Sequence, residues 1–140
     1  MGLVLLRLIT IANHLAVARG VRCEPEQIVI TEGALAALTL CMRLVSNPGD
    51  TAWVEEPGYR GAQTAMACGD MHIVPMRVDQ DGLCAPEAAW KTHPPRVIYT
   101  TPSHQYPLGS VLSAARRLDL IAKAEQHGAW IIEDDYDSEF

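Results

Sequence analysis

The sequence predicts an α/β fold, a three-layer α/β/α arrangement around a mainly parallel sheet. Short β-branched or apolar runs alternate with Ala- and Leu-rich segments of helical length along most of the chain. Glycine, proline or acidic residues punctuate the ends of those runs. The 140 residues are 49% hydrophobic and 20% charged, an ordinary globular composition sufficient for one core. Strands alternating with helices of this length imply parallel neighbours with helices covering both faces.

The elements follow in order. Residues 3–18 are apolar all around a helix, and Gly20 supplies a stop. Residues 27–31 are β-branched and read as a strand, which turns at Glu32-Gly33 into a helix over 34–45. Asn47-Pro48-Gly49-Asp50 breaks the chain, residues 51–55 read as a strand, and Pro57-Gly58 precedes a helix over about 59–67. Residues 71–78 and 96–100 read as further strands. Between them lies a helix near 86–91, which Pro94-Pro95 terminates. After the loop 101–110, Ser113 caps a helix running to about Gln126, His127-Gly128 closes it, and residues 129–133 form a strand that ends in acids. The domain reading is a lead-in helix over 1–20, continuing from a missing upstream region, and an incomplete large domain over 21–140.

Charge and cysteine usage exclude several classes. A net charge of −6 with eleven scattered Lys and Arg leaves no basic stripe, so this segment is not expected to bind nucleic acid itself. Cys23, Cys41, Cys68 and Cys84 lack Cys-x-x-Cys spacing and read as buried thiols in a reducing cytoplasm, with no metal site. Arg7, Asn13 and His14 interrupt the apolar N-terminal run, so a membrane span or signal peptide fits poorly.

In open parallel sheets ligands sit beyond the carboxyl ends of the strands, and four loops there carry chemistry. Gly33 and Ala34 open a helix whose N–H groups and dipole suit an anionic phosphate, although a glycine turn between strand and helix is common. Tyr59 follows the turn Glu55-Glu56-Pro57-Gly58 and either stacks on a flat ligand or covers the sheet edge. Ser103, His104, Gln105 and Tyr106 place four hydrogen-bonding groups in a proline-stiffened loop. The run Glu133-Asp134-Asp135-Tyr136-Asp137-Ser138-Glu139 is a solvated loop, a magnesium or calcium site, or the place where a carboxylate meets a protonated pyridine nitrogen.

Ala18-Arg19-Gly20-Val21-Arg22-Cys23, Gln27-Ile28-Val29-Ile30-Thr31, Glu56-Pro57-Gly58-Tyr59, Thr101-Pro102-Ser103-His104-Gln105 and Glu133 to Phe140 together resemble the aminotransferase-like domain of MocR/GabR transcriptional regulators, a branch of the fold-type I pyridoxal 5'-phosphate (PLP) superfamily. The resemblance runs from about Ile11 onward. It implies a partial fold-type I large domain with PLP as cofactor. Gly33 and Ala34 would cradle the phosphate and Tyr59 would stack on the ring. Asp134 would pair with the ring nitrogen, and Tyr136 would meet the phenolic oxygen. Related transaminases often have Asn-Pro-Thr-Gly where Tyr106-Pro107-Leu108-Gly109 stand here, so His104 or Gln105 would replace the asparagine contact. A small residue is usual where Glu32 stands.

The resemblance further implies a winged-helix DNA-binding domain upstream, a Schiff-base lysine in later sequence, a homodimer, and an amino-acid-like effector. Lys91 and Lys123, the lysines of this chain, match no such lysine, so the chain alone is expected to be inactive as a transaminase. The expected function is therefore a fragment of a cytoplasmic, PLP-binding effector domain of a MocR/GabR-type regulator. The alternative is a piece of a class I/II aminotransferase acting between an amino acid and a 2-oxo acid, and a third reading is a stand-alone acidic-loop metal-binding module.

Overall fold

Residues 2–136 are described in this computed structural model, so Asp137, Ser138, Glu139 and Phe140 of the acidic motif lie outside the described residues. The chain divides between Glu32 and Gly33 into two compact units. In the first, helix α1 spans Gly2–Arg19, and Gly20 ends it at φ 66°, a left-handed value at which a Cβ is strained. A single 3-10 turn, Pro25–Gln27, follows, with the Glu24 N–H donating to Gln27 Oε1 at 2.9 Å. The strand expected over 27–31 does not form. Ile28 is extended, Val29 and Ile30 are exposed, and no strand among the described residues pairs with them. β-Branched propensity reflects a fit to a pleated, half-buried surface, and the local sequence alone does not supply that partner.

The second unit holds the three-layer α/β/α core that the sequence predicts. Its elements are α2 (Ala34–Val45), β1 (Thr51–Glu56), α3 (Arg60–Cys68), β2 (His72–Asp79), β3 (Gly82–Leu83), α4 (Glu87–Thr92), β4 (Val97–Thr100), α5 (Ala114–His127) and β5 (Trp130–Glu133). The sheet order is β3-β2-β1-β4-β5. Strands β1, β2, β4 and β5 are parallel, and only the two-residue β3 runs antiparallel, against the end of β2. Two residues are too few to leave a periodic signature, which is why β3 escapes a reading of the sequence.

Residue alternation divides the core. Ala52, Val54, Val97 and Tyr99 pack against Leu38 and Met42 of α2 and Ala62, Ala65 and Met66 of α3. On the other face, Trp53, Met76 and Ile98 pack against Trp90 of α4 and Leu120 and Ala124 of α5. Right-handed crossovers require this split: β1 steps to β2 through α3 in one direction, β4 steps to β5 through α5 in the other, and the two helices land on opposite faces. Because the chain leaves β1 for β2 and returns to β1's other side as β4, the switch point of the sheet lies between β1 and β4.

Ser113 occupies the N-cap of α5 as expected, but its side chain makes no capping hydrogen bond; its N–H donates to Asp81 O at 3.1 Å. Gly128 closes the helix in the left-handed conformation. None of the four cysteines is fully buried, and Cys68 at the end of α3 is exposed, which corrects the expectation of buried thiols.

An ionic clasp fastens α5 to the β2–β3 hairpin. Arg116 Nη1 meets Asp79 Oδ1 at 2.6 Å, Nη2 meets Oδ2 at 3.3 Å, and the Cys84 thiol donates to Oδ2 at 3.0 Å. The Arg116 guanidinium, then the Cys84 thiol, hold the Asp79 carboxyl well below the usual carboxylate range. A carboxyl depressed in the folded state stabilises fully above its unfolded pKa of about 3.9, and that contribution is lost as pH falls toward its folded value. Thermal unfolding of Asp79→Asn should therefore fall below the parent's at neutral pH, with the gap narrowing progressively below about pH 4.

Candidate functional site

The exits of β1, β4 and β5 and the start of α2 converge in the second unit on a cavity of about 320 Å³ lined by Ala34, Tyr59, Tyr99, Thr101, Tyr106, Asp134 and Tyr136. Its position follows from pleat and register. Tyr99 pairs with Ile132 across β4 and β5, both residues face the α2/α3 side, and two residues further along each strand the same face presents Thr101 and Asp134. Ala34 opens α2, whose N-cap Gly33 at φ 109° has no side chain to satisfy the first N–H groups.

The hydrogen bonds separate residues that build the site from those that face it. Glu55 is only 2% exposed at the end of β1. Its Oε1 accepts from Thr100 Oγ1 at 2.5 Å. Its Oε2 accepts from the Thr101 hydroxyl at 2.7 Å, the Thr101 N–H at 3.2 Å and Gln105 Nε2 at 3.2 Å. Gln105 Nε2 also donates to the carbonyls of Pro57, at 2.9 Å, and Tyr106, at 2.6 Å, while its Oε1 accepts from the Leu108 N–H. Gly58 must lack a side chain, because a Cβ there would run into the Glu55 carbonyl oxygen.

Facing the cavity, Asp134 Oδ2 accepts from the Tyr99 hydroxyl at 2.7 Å. Burial first, then this bond to a carboxylate, push the Tyr99 phenol far above the ordinary tyrosine range. Tyr59, Tyr106 and Tyr136 form an aromatic wall, with edge-on pairs at 6.4 Å (Tyr59–Tyr106) and 6.2 Å (Tyr106–Tyr136). The Tyr59 ring lies back over Gly61, where a Cβ would collide with it.

Of the expected site residues, Ala34, Tyr59, Asp134 and Tyr136 line one cavity. Gly33 precedes its rim as the N-cap of α2. His104 is outside the lining, edge-on to Tyr136 at 6.3 Å. Gln105, considered as a stand-in for the missing asparagine, is 1% exposed, with its amide taken up by Glu55 and backbone groups. Tyr106 itself lines the cavity, as do Tyr99 and Thr101, which the sequence reading did not single out. Strand alternation from Asp134 across to β4 is the signal that finds Tyr99. Lys91 pairs with Glu87, and Lys123 with Glu87 and Asp119, on α4 and α5, the helices of the opposite face. Among the described residues no group of three His, Cys, Asp or Glu stands where it could hold a metal, and no helix is long and apolar enough to cross a membrane.

The family of class I and II aminotransferases matches residues 10–136. The chain belongs to that family. Among curated proteins it is 44% identical over 131 residues to the probable rhizopine catabolism regulatory protein MocR of Rhizobium meliloti, covering 93% of this chain and 26% of that protein. It is 42% identical over 138 residues to the HTH-type pyridoxine biosynthesis regulator PdxR of Corynebacterium glutamicum, covering 99% and 29%. The chain thus spans between a quarter and three tenths of these regulators' length. Among solved structures, an archaeal alanine:glyoxylate aminotransferase superposes with a TM-score of 0.81 at 32% identity over 91% of this chain and 33% of that one. The kynurenine aminotransferase of Pyrococcus horikoshii, solved with PMP, superposes with 0.77 at 28% identity over 89% and 32%. The fold is that of part of a fold-type I large domain.

The donor set suits the phosphorylated pyridine of this family: a helix N-terminus for an anion, aromatic faces for a flat ring, and a carboxylate for a ring N–H. The cavity volume falls within the small end of ordinary ligand pockets, about 300–1,000 Å³.

Two outcomes follow. Glu55→Gln sets an amide N–H₂ against donors and should cost about 1–3 kcal/mol in denaturant unfolding. For Tyr99, a phenol whose pKa is raised by folding stabilises below its unfolded value of about 10 and loses that contribution as pH climbs through the folded one. Phenolate absorbance of the parent and of Tyr99→Phe should therefore coincide during alkaline titration until the parent unfolds.

Proposed function

We propose that this chain is the PLP-binding, aminotransferase-like effector region of a MocR-type transcriptional regulator, with residues 21–140 forming part of the large domain and residues 1–20 leading into it. The convergence of Ala34, Tyr59, Asp134 and Tyr136 on one cavity carries the cofactor reading. Regulators reach 44% identity and range down to 33%, whereas the aromatic amino acid aminotransferases of Schizosaccharomyces pombe stand at 33%, and the higher upper values favour the regulator over the enzyme.

In this reading the α2 N-terminus at Gly33 and Ala34 takes the phosphate. Tyr59 stacks on the ring, Asp134 accepts from the ring nitrogen, and Tyr136 donates to the phenolic oxygen. When bound, the cofactor supplies an aldehyde able to condense with an amine and a ring that accepts electrons. The chain's own residues bind it, orient it and keep its nitrogen protonated. Among the described residues no lysine lines the cavity, so in this reading the chain holds the cofactor without a covalent bond. The whole regulator binds DNA through a helix-turn-helix region, responds to an amino-acid-like effector, dimerises and works in the cytoplasm.

Equilibrium dialysis of the purified chain against PLP tests this. We expect binding that weakens at least about fivefold on Asp134→Ala and on Tyr59→Ala, from the loss of a charged hydrogen bond or a ring contact. Borohydride followed by intact mass should show no added cofactor. A folded chain that binds no PLP would overturn the cofactor reading.

A further inference from the structure

We propose that Tyr99 is a positioning residue for the ring nitrogen of the ligand, acting through Asp134; the inference rests on the cofactor reading above. Among the described residues Asp134 is the one acidic side chain on the cavity wall, and one of its two oxygens is committed to the Tyr99 hydroxyl at 2.7 Å. The Asp134 N–H donates to Thr100 O at 3.0 Å, so its backbone is held as a continuation of β5. With Oδ2 engaged and the backbone fixed, the carboxylate plane is set and the lone pairs of Oδ1 are left for a donor in the cavity.

Tyr99 is well placed to impose that geometry because it cannot move. It is 1% exposed, packed among α2 and α3 side chains, and paired in register with Ile132, two residues before Asp134. Its ring also forms part of the cavity wall. Burial and the bond to Asp134 keep its phenol protonated, so it acts as a permanent donor and Asp134 stays an acceptor. A phenylalanine here would fill the same space, and Asp134 would lose only the bond that orients it.

The discriminating measurement is affinity for two probes, PLP and its analogue with carbon in place of the ring nitrogen, in the parent, Tyr99→Phe, Asp134→Ala and the double variant. Tyr99→Phe should weaken PLP roughly fivefold, the effect of one lost hydrogen bond, and leave the carbon analogue unchanged. On the Asp134→Ala background the same substitution should have no further effect. Equal weakening of both probes, or additive losses in the double variant, would show that Tyr99 merely supports the fold and would overturn the proposal. A parent that binds neither probe sinks the cofactor reading and this one with it, whereas a parent that binds both equally removes the nitrogen contact alone. Should Tyr99→Phe not fold, the near-ultraviolet tyrosine band of Asp134→Ala at neutral pH decides: losing the acceptor of the Tyr99 hydroxyl should move the phenol absorption to shorter wavelength, and an unchanged band refutes the coupling.

Discussion

The carboxylate of Glu55 sits at the switch point between β1 and β4 and gathers donors from the last residue of β4 and the loop that follows it: Thr100, Thr101 and Gln105. A buried carboxylate with too few donors is expensive, so this geometry holds only while the loop after β4 keeps its path. Gln105 extends the clasp to the Pro57 carbonyl, tying the exit of β4 to the exit of β1. Thr101 and Tyr106, which line the cavity, and Tyr59, which starts α3, are placed as a consequence. The network is thus oriented away from the ligand and toward the backbone that presents it.

The pleat then decides which face receives the ligand. Glu55 and Thr100 point with Trp53 and Ile98 toward α4 and α5, while Tyr99, Thr101 and Asp134 alternate with them and point toward α2 and α3. At the end of β4, Thr100 serves the clasp alone, whereas Thr101 both donates to Glu55 and lines the cavity. A one-residue slip of β5 against β4 would turn Asp134 away and bring Glu133 inward, although Glu133 is engaged by Arg117 at 2.6 Å. Register in β5 is therefore under two constraints, the apolar packing of Ile131 and Ile132 and the acid pair that follows.

How far the sequence discloses this depends on range. The elements of the second unit apart from the two-residue β3 are legible because alternation, Pro57-Gly58 and Gly128 act locally, and Tyr59, Asp134 and Tyr136 sit at strand exits where a ligand is expected. Glu55 reads as the last residue of a strand and Gln105 as a ligand contact, and their pairing spans fifty positions of chain, a distance that local pattern does not encode. Tyr99 reads as a core aromatic, which it also is; its second role depends on β5 lying alongside β4. Residues 27–31 fail in the opposite sense, since their composition promises a strand that only a partner could complete. His104 stands in a loop dense with polar groups, but Gln105 beside it turns inward and Tyr106 takes the place on the wall.

The cavity is also electrically polar. Its wall carries the carboxylate of Asp134 and the start of α2 at Ala34, with Thr101 and tyrosines making up the rest and, among the described residues, no basic side chain. In a protein of net charge −6, an anion cannot be drawn here by general attraction. It must be met by backbone N–H groups at the helix start, where the dipole supplies about half a positive charge. A ligand that is negative at one end and carries a protonated nitrogen at the other therefore has one favourable orientation. Reversing it would set phosphate against Asp134 and a ring N–H against the helix dipole. Orientation in this site follows from two fixed features of the backbone, the start of α2 and the exit of β5, with Tyr99 holding the second in line.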